Sequence, residues 1–211
     1  MNQGQDQEVF DKVLVAVGRE PNIDNIGLHN TSIKYDKKGI KVNQNFQTKE
    51  GHIYAIGDAI NTLQLAHVAM AEAKCAVDHI VNNTSEPLNY TMLPRCVYSS
   101  PEIASVGYNQ DNLPEAVEAK VGHFPLAGNG KALIEQASDG FIEVIRDQAT
   151  DDLLGITILG PHASEMISEG SLGLYLNAAN EEIATTVHPH PSLSEALQEA
   201  ALDAMDMAIH K

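Results

Sequence analysis

The segment His188-Pro189-His190-Pro191-Ser192-Leu193-Ser194-Glu195 combines two imidazoles, two hydroxyls and a carboxylate within eight positions. Glu195 follows His190 by five residues, close enough for the carboxylate to orient the imidazole and raise its basicity. That pair would serve as an acid/base couple. Pro191 fixes the chain just after the histidine, and Ser192 is placed to open a helix that presents Glu195 on its first turn. Spacing alone favours a second reading. Ser192-x-x-Glu195 is a capping box, whose Glu side chain closes back on the N-cap amide without any catalytic role. A third reading makes His188 and His190 metal ligands, but nothing nearby completes a coordination shell.

Gly57-Asp58-Ala59 is the next place where chemistry is expected. It closes the apolar run His52–Ile56 and precedes a helix of small residues, where ligands sit in open α/β sheets. Glycine admits a ligand close to the backbone, and Asp58 can accept hydrogen bonds from sugar hydroxyls. A plain strand-to-helix turn with an Asp near a cap accounts for the tripeptide as well. No G-x-G-x-x-G occurs in the sequence, and Gly128-Asn129-Gly130 reads as a loop. His67 either lies near a ligand or simply starts a helix. Cys75 and Cys96, the only cysteines, form no C-x-x-C pair or zinc spacing and are expected to be buried thiols.

The elements that must position these residues fall into two groups. Val13–Val17, ended by Gly18, reads as a buried parallel strand, Gly39–Asn43 as a short half-exposed strand, and Leu65–Val81 as a helix. Residues 82–94 are polar and carry Pro87 and Pro94, which places a domain boundary there. Beyond it, strands are expected over 95–98, 103–107, 119–124, 140–146 and 153–159, the last two forming an antiparallel hairpin. Helices are expected over 109–116, 163–178, 181–186 and 192–209. Strands first and helices last is an α+β signature.

Charge and composition exclude several functions. The 211 residues carry 13 basic and 29 acidic side chains, a formal net charge of −16. Phosphate backbones and anionic membrane surfaces both require clustered Lys and Arg, so no nucleic acid and no membrane partner is expected. No apolar run approaches a membrane span, the first eight residues are polar and unlike a signal peptide, and the cysteine usage fits a reducing compartment. The compartment is read as cytoplasmic, and triplets such as Asn83-Thr84-Ser85 as chance.

Five motifs then occur in order: Val15-x-Val17-Gly18-Arg19-x-Pro21-Asn22, Ile53-Tyr54-Ala55-Ile56-Gly57-Asp58, Leu65-Ala66-His67, Tyr98-x-x-Pro101-Glu102-Ile103-Ala104-Ser105-Val106-Gly107, and His188-x-His190-Pro191-Ser192-x-Ser194-Glu195. From about Val13 to the end, the chain resembles the C-terminal half of the dihydrolipoyl dehydrogenases, flavoprotein disulfide reductases. The resemblance implies an α+β dimerisation domain over 93–211, an antiparallel sheet with packed helices. Residues 1–92 would be a remnant of the α/β FAD- and NAD-binding domains.

Roles follow from the same resemblance. Asp58 would lie near the ribityl chain of FAD, and Leu65, Ala66 and His67 would pass beneath the flavin ring. Gly18 and Arg19 would end the nicotinamide-binding part. His190 would be the acid/base at the partner subunit's disulfide in a homodimer, held by Glu195. Ser192 stands where the family usually has Thr. The Gly-rich loops and the redox C-x-x-x-x-C pair of a working member are missing, so the chain is expected to be a fragment. Alone it would be inactive, with little or no FAD. Its partner would be a lipoyl-bearing acyltransferase or carrier protein of a 2-oxoacid dehydrogenase or glycine-cleavage system. The alternative is a stand-alone dimeric module that docks a basic subunit-binding domain through its acidic surface. The wide apolar face of the last helix (Leu193, Ala196, Leu197, Ala200, Ala201, Ala204, Met205 and Ala208) is expected to need a partner copy to cover it.

Overall fold

The structure, a computed structural model, describes residues 8–84 and 86–210. The polar start over residues 1–7 and Ser85 of the glycosylation triplet lie outside the described residues. The chain divides between Leu88 and Asn89 into two compact units.

The first unit holds little regular structure. A two-stranded antiparallel ribbon, β1 (Tyr35–Asp36) and β2 (Gly39–Ile40), leads to a 3-10 turn at Gly57–Ile60 and then to helix α1 (Ala66–Asn82). Leu28, Ile33 and Ile40 form its small apolar core. The apolar segments of this unit differ from what their composition suggests. Val13–Val17 is neither a strand nor buried, with Leu14 90% and Val17 91% exposed. An apolar run becomes a parallel strand only where neighbouring strands accept its backbone, and among the described residues none pairs with it. His52–Ile56 contributes only an isolated bridge, Gln47 to Tyr54. In α1 the buried positions are Val68, Glu72 and Ala76, whereas Met70, Val77 and Ile80 are exposed. The helix exists as expected, but it buries a narrow stripe with a carboxylate at its centre.

The second unit is an α+β layer structure. Its five strands are β3 (Arg95–Val97), β4 (Glu102–Gly107), β5 (Ala119–Pro125), β6 (Phe141–Asp147) and β7 (Leu153–Gly160). They form one antiparallel sheet in the order β3-β4-β7-β6-β5. Period-two alternation makes the inner face: Ala104, Val106, Phe124, Ile142, Val144, Ile156 and Ile158 are all buried. The helices are α2 (Gly130–Ile134), α3 (Ala163–Leu176), α4 (Asn180–Thr185) and α5 (Glu195–Asp203). Ile167 of α3 and Leu197 of α5 join the same core as the strands. Glu102 fixes the start of α3, accepting from the Ser164 amide at 2.9 Å and its hydroxyl at 2.8 Å.

The final helix is shorter than expected and already covered. Ala196, Leu197, Ala200, Ala201 and Ala204 are at most 1% exposed, sealed against the chain's own sheet. At Gly122 of β5 a Cβ would run into the backbone of Ala200 and Ala204, so helix and strand touch main chain to main chain. This apolar face therefore gives no argument for a second copy. Residues 109–116 form turns rather than a helix, because Asn109 Oδ1 accepts from the amides of Asp111 and Asn112 and Pro114 follows. The two cysteines are half-buried; burial pushes the Cys96 thiol up, with Glu102 adding to it.

Candidate functional site

His190 and Glu195 are positioned by the connection from α4 to α5. Residues 186–194 carry no regular structure, and α5 begins at Glu195 itself. His190 Nδ1 lies 2.8 Å from Glu195 Oε1, and the other carboxylate oxygen accepts from the Ser192 amide at 2.8 Å. One oxygen of Glu195 thus meets the imidazole while the other accepts from the loop amide. Only half of the expected capping box forms, because the Ser192 hydroxyl is buried with no hydrogen-bond partner among the described residues and Ser194 occupies the N-cap.

The electrostatics agree with this arrangement. Burial pushes the Glu195 carboxyl up, but the Ser192 amide, the His190 hydrogen bond and the charges of His190 and His188 outweigh it. The group is held below its ordinary value. A carboxylate that accepts from Nδ1–H leaves Nε2 as the basic nitrogen. The imidazole is 81% exposed while Glu195 is only 28% exposed. A reactant can therefore reach the ring without disturbing the group that orients it.

The pair lines a cavity of about 190 Å³ with Phe124, Asn129, Glu199 and His210. Asn129, expected to lie in a plain loop, caps α2 through Oδ1 to the Ala132 amide at 2.9 Å. Its Nδ2 donates to the Ser192 carbonyl, also at 2.9 Å. Nothing in the local sequence marks that second bond, which spans 63 positions. A second imidazole–carboxylate pair borders the cavity, His210 Nδ1 to Glu199 Oε1 at 2.7 Å. His188 is engaged elsewhere. Its buried ring contacts Glu169 of α3 at 2.8 Å, and that hydrogen bond raises its pKa against the opposing effect of burial. Among the described residues no group of three or more His, Cys, Asp or Glu could hold a metal ion.

The candidate cofactor residues lie in the first unit. Gly57 has φ +66°, and a Cβ there would meet the Ala69 side chain at 3.0 Å, so the turn lies hard against α1. Asp58 is exposed on that turn. Leu65 is the extended N-cap of α1, Ala66 is its first residue, and His67 is exposed on the first turn. Gly18 is exposed at φ +111°, and the neighbouring Arg19 donates from Nη2 to the Gln64 carbonyl at 3.1 Å. The contact brings the Gly18–Arg19 segment beside Leu65.

Comparison with known proteins decides the family. The pyridine nucleotide-disulphide oxidoreductase dimerisation domain matches residues 93–201, and the pyridine nucleotide-disulphide oxidoreductase domain matches residues 1–73. The chain belongs to the pyridine nucleotide-disulphide oxidoreductases. Within this family it is 50% identical to a dihydrolipoyl dehydrogenase of Bacillus subtilis over 95% of the chain and 42% of that protein. A dihydrolipoyl dehydrogenase of Thermus scotoductus is 41% identical over 99% of the chain and 46% of its own length. The chain thus spans less than half the length of these curated relatives. Among solved structures, LpdA from Mycobacterium tuberculosis superposes with a TM-score of 0.80 at 29% identity, covering 86% of this chain and 40% of that one. RclA, a flavoprotein disulfide reductase from Escherichia coli, shares the fold at a TM-score of 0.80 and 22% identity, over 86% of this chain and 42% of its own. The relatives include bacterial and mitochondrial proteins. Among the described residues no helix is long and apolar enough to cross a membrane.

Proposed function

We propose that this chain is the C-terminal part of a dihydrolipoyl dehydrogenase, with residues 1–92 from the nucleotide-binding domains and 93–211 as the homodimer-forming domain. The observation that carries the reading is the 2.8 Å His190–Glu195 pair in a chain 50% identical to a dihydrolipoyl dehydrogenase. Glu195 holds Nδ1 so that Nε2 of His190 takes the proton of a dihydrolipoamide thiol as its sulfur attacks a disulfide on the partner subunit. The released proton returns from the same nitrogen when the leaving thiolate needs one. Bound FAD and NAD would supply the two-electron path away from the reduced disulfide.

The first unit fits part of a flavin. Exposed Asp58 on a turn closely apposed to α1 can accept from ribityl hydroxyls, and Leu65-Ala66-His67 form the start of α1, whose backbone amides lie beside that turn. The pyrophosphate would need a Gly-rich loop, and the redox step a C-x-x-x-x-C pair; this sequence contains neither. The chain by itself is therefore expected to be inactive and to retain little flavin. The lipoyl substrate would be borne by an acyltransferase or carrier protein of a 2-oxoacid dehydrogenase or glycine-cleavage system.

Flavin absorbance and dihydrolipoamide-dependent NADH formation test this directly. The pure chain should show neither, and both should appear when a polypeptide with the Gly-rich loops and the cysteine pair is supplied. Turnover by the chain alone would overturn the reading. The charge of −16 favours a second role, docking of a basic subunit-binding domain. That role predicts salt-sensitive capture, and no binding at low ionic strength would remove it.

A further inference from the structure

Glu72 is fully buried on α1, fifteen residues after Gly57, which opens the turn that carries Asp58. Burying a carboxylate is costly unless it is hydrogen-bonded. Oε2 accepts from the Gly57 amide and Oε1 from the Thr62 hydroxyl, each at 2.6 Å. The two bonds grip both ends of the segment that contains the 3-10 turn Gly57–Ile60. They do so where the backbone is least ordinary, since Gly57 at φ +66° enters the turn and Asn61 at φ 56° leaves it. Both contacts are short for hydrogen bonds of their kind.

We propose that Glu72 is a positioning residue for the cofactor turn: its carboxylate holds Gly57 and Thr62 so that Asp58 keeps the geometry a flavin's ribityl hydroxyls require. This rests on the functional reading above for the identity of the ligand, while the brace itself rests on the two bonds alone. The chemistry predicts an unequal response to substitution. In Glu72→Gln the amide oxygen accepts from Gly57, and the amide nitrogen donates to Thr62 once its hydroxyl rotates. In Glu72→Leu neither bond survives and the Gly57 amide is left buried without that acceptor.

Hydrogen exchange on this chain reads the brace directly. Glu72→Leu should speed exchange at the Gly57 amide by roughly tenfold or more, with Glu72→Gln close to the parent. The Lys41 amide, bonded to Lys34, and the Ala55 amide, bonded to Phe46, report whether the unit stays folded. Should Glu72→Leu unfold it, Thr62→Val removes one bond only and should give a smaller change of the same sign. The second readout is flavin release and flavin fluorescence in the protein assembled with the Gly-rich segment. Release should quicken about tenfold in Glu72→Leu and be restored in Glu72→Gln. Unchanged Gly57 exchange in Glu72→Leu overturns the brace. Altered exchange with unaltered flavin release overturns the positioning role. An assembled parent protein that takes up no flavin overturns the functional reading and the ligand with it, a result distinguishable because the exchange data are independent of flavin.

Discussion

Asn129 donates from Nδ2 to the Ser192 carbonyl at 2.9 Å, tying the first turn of α2 to the stretch of chain between His190 and Glu195. The same side chain caps α2 through Oδ1. One buried amide therefore supports both a helix start and the loop that presents the His190–Glu195 pair.

Replacing it separates these tasks. Asn129→Ala should destabilise the second unit by about 1–3 kcal/mol, through a lost cap and a lost hydrogen bond to the part-buried Ser192 carbonyl. Asn129→Asp keeps the cap acceptor but loses the donor to Ser192, and should cost less. Urea unfolding of the chain measures both, and equal costs would contradict this division.

The His190–Glu195 pair predicts both a rate effect and a pH effect. In the assembled enzyme, His190→Gln should lower dihydrolipoamide turnover by about 10²–10⁴-fold, the range of a lost general acid/base. Glu195 has a folded pKa below its ordinary 4.5, so its stabilising contribution is complete above that pH. It is lost as pH falls through the lowered folded value. The urea midpoint of Glu195→Gln followed from pH 6 to pH 3 should fall less steeply than that of the parent.

His188 and Glu169 predict the opposite slope. The folded pKa of His188 is raised above 6.5, chiefly by the hydrogen bond to Glu169. Its contribution is complete below pH 6.5 and lost as pH rises through the folded value. Thermal unfolding between pH 5.5 and 8.5 should show this decline, and His188→Gln should flatten it.

Two apolar positions should respond very differently. Leu197 is 1% exposed in the main core, and Leu197→Ala should cost about 2–5 kcal/mol. Val15 is 74% exposed, and Val15→Asp should change the stability of this chain by no more than about 0.5 kcal/mol. A large loss from Val15→Asp, measured by the same unfolding transitions, would restore the buried-strand reading.

Much of the second unit was legible because its signals are local. The β6–β7 hairpin follows from two alternating runs around Asp147–Asp152, and α3 from its helical period. The position of His190 and Glu195 was equally readable, since five residues separate them. The failures came where a segment's state depends on distant neighbours. Val13–Val17 has the composition of a buried strand and no strand to pair with among the described residues. The apolar positions of α1 did not foretell that Glu72 would lie at the buried centre, because its partners are Gly57 and Thr62 on another element.

The sequence by itself determined the order of elements in the second unit, the motif order that points to the family, and a histidine and a carboxylate five positions apart. It left His190–Glu195 open between catalysis and capping. Tertiary structure gave each oxygen of Glu195 a separate donor, His190 Nδ1 on one and the Ser192 amide on the other, so that pairing and capping coexist. It also decided that α5 is sealed by its own sheet, and that Asn129 and Glu72 brace the two candidate sites. Local spacing governs propensity and period; which buried polar group meets which donor depends on segments brought together only when the core closes.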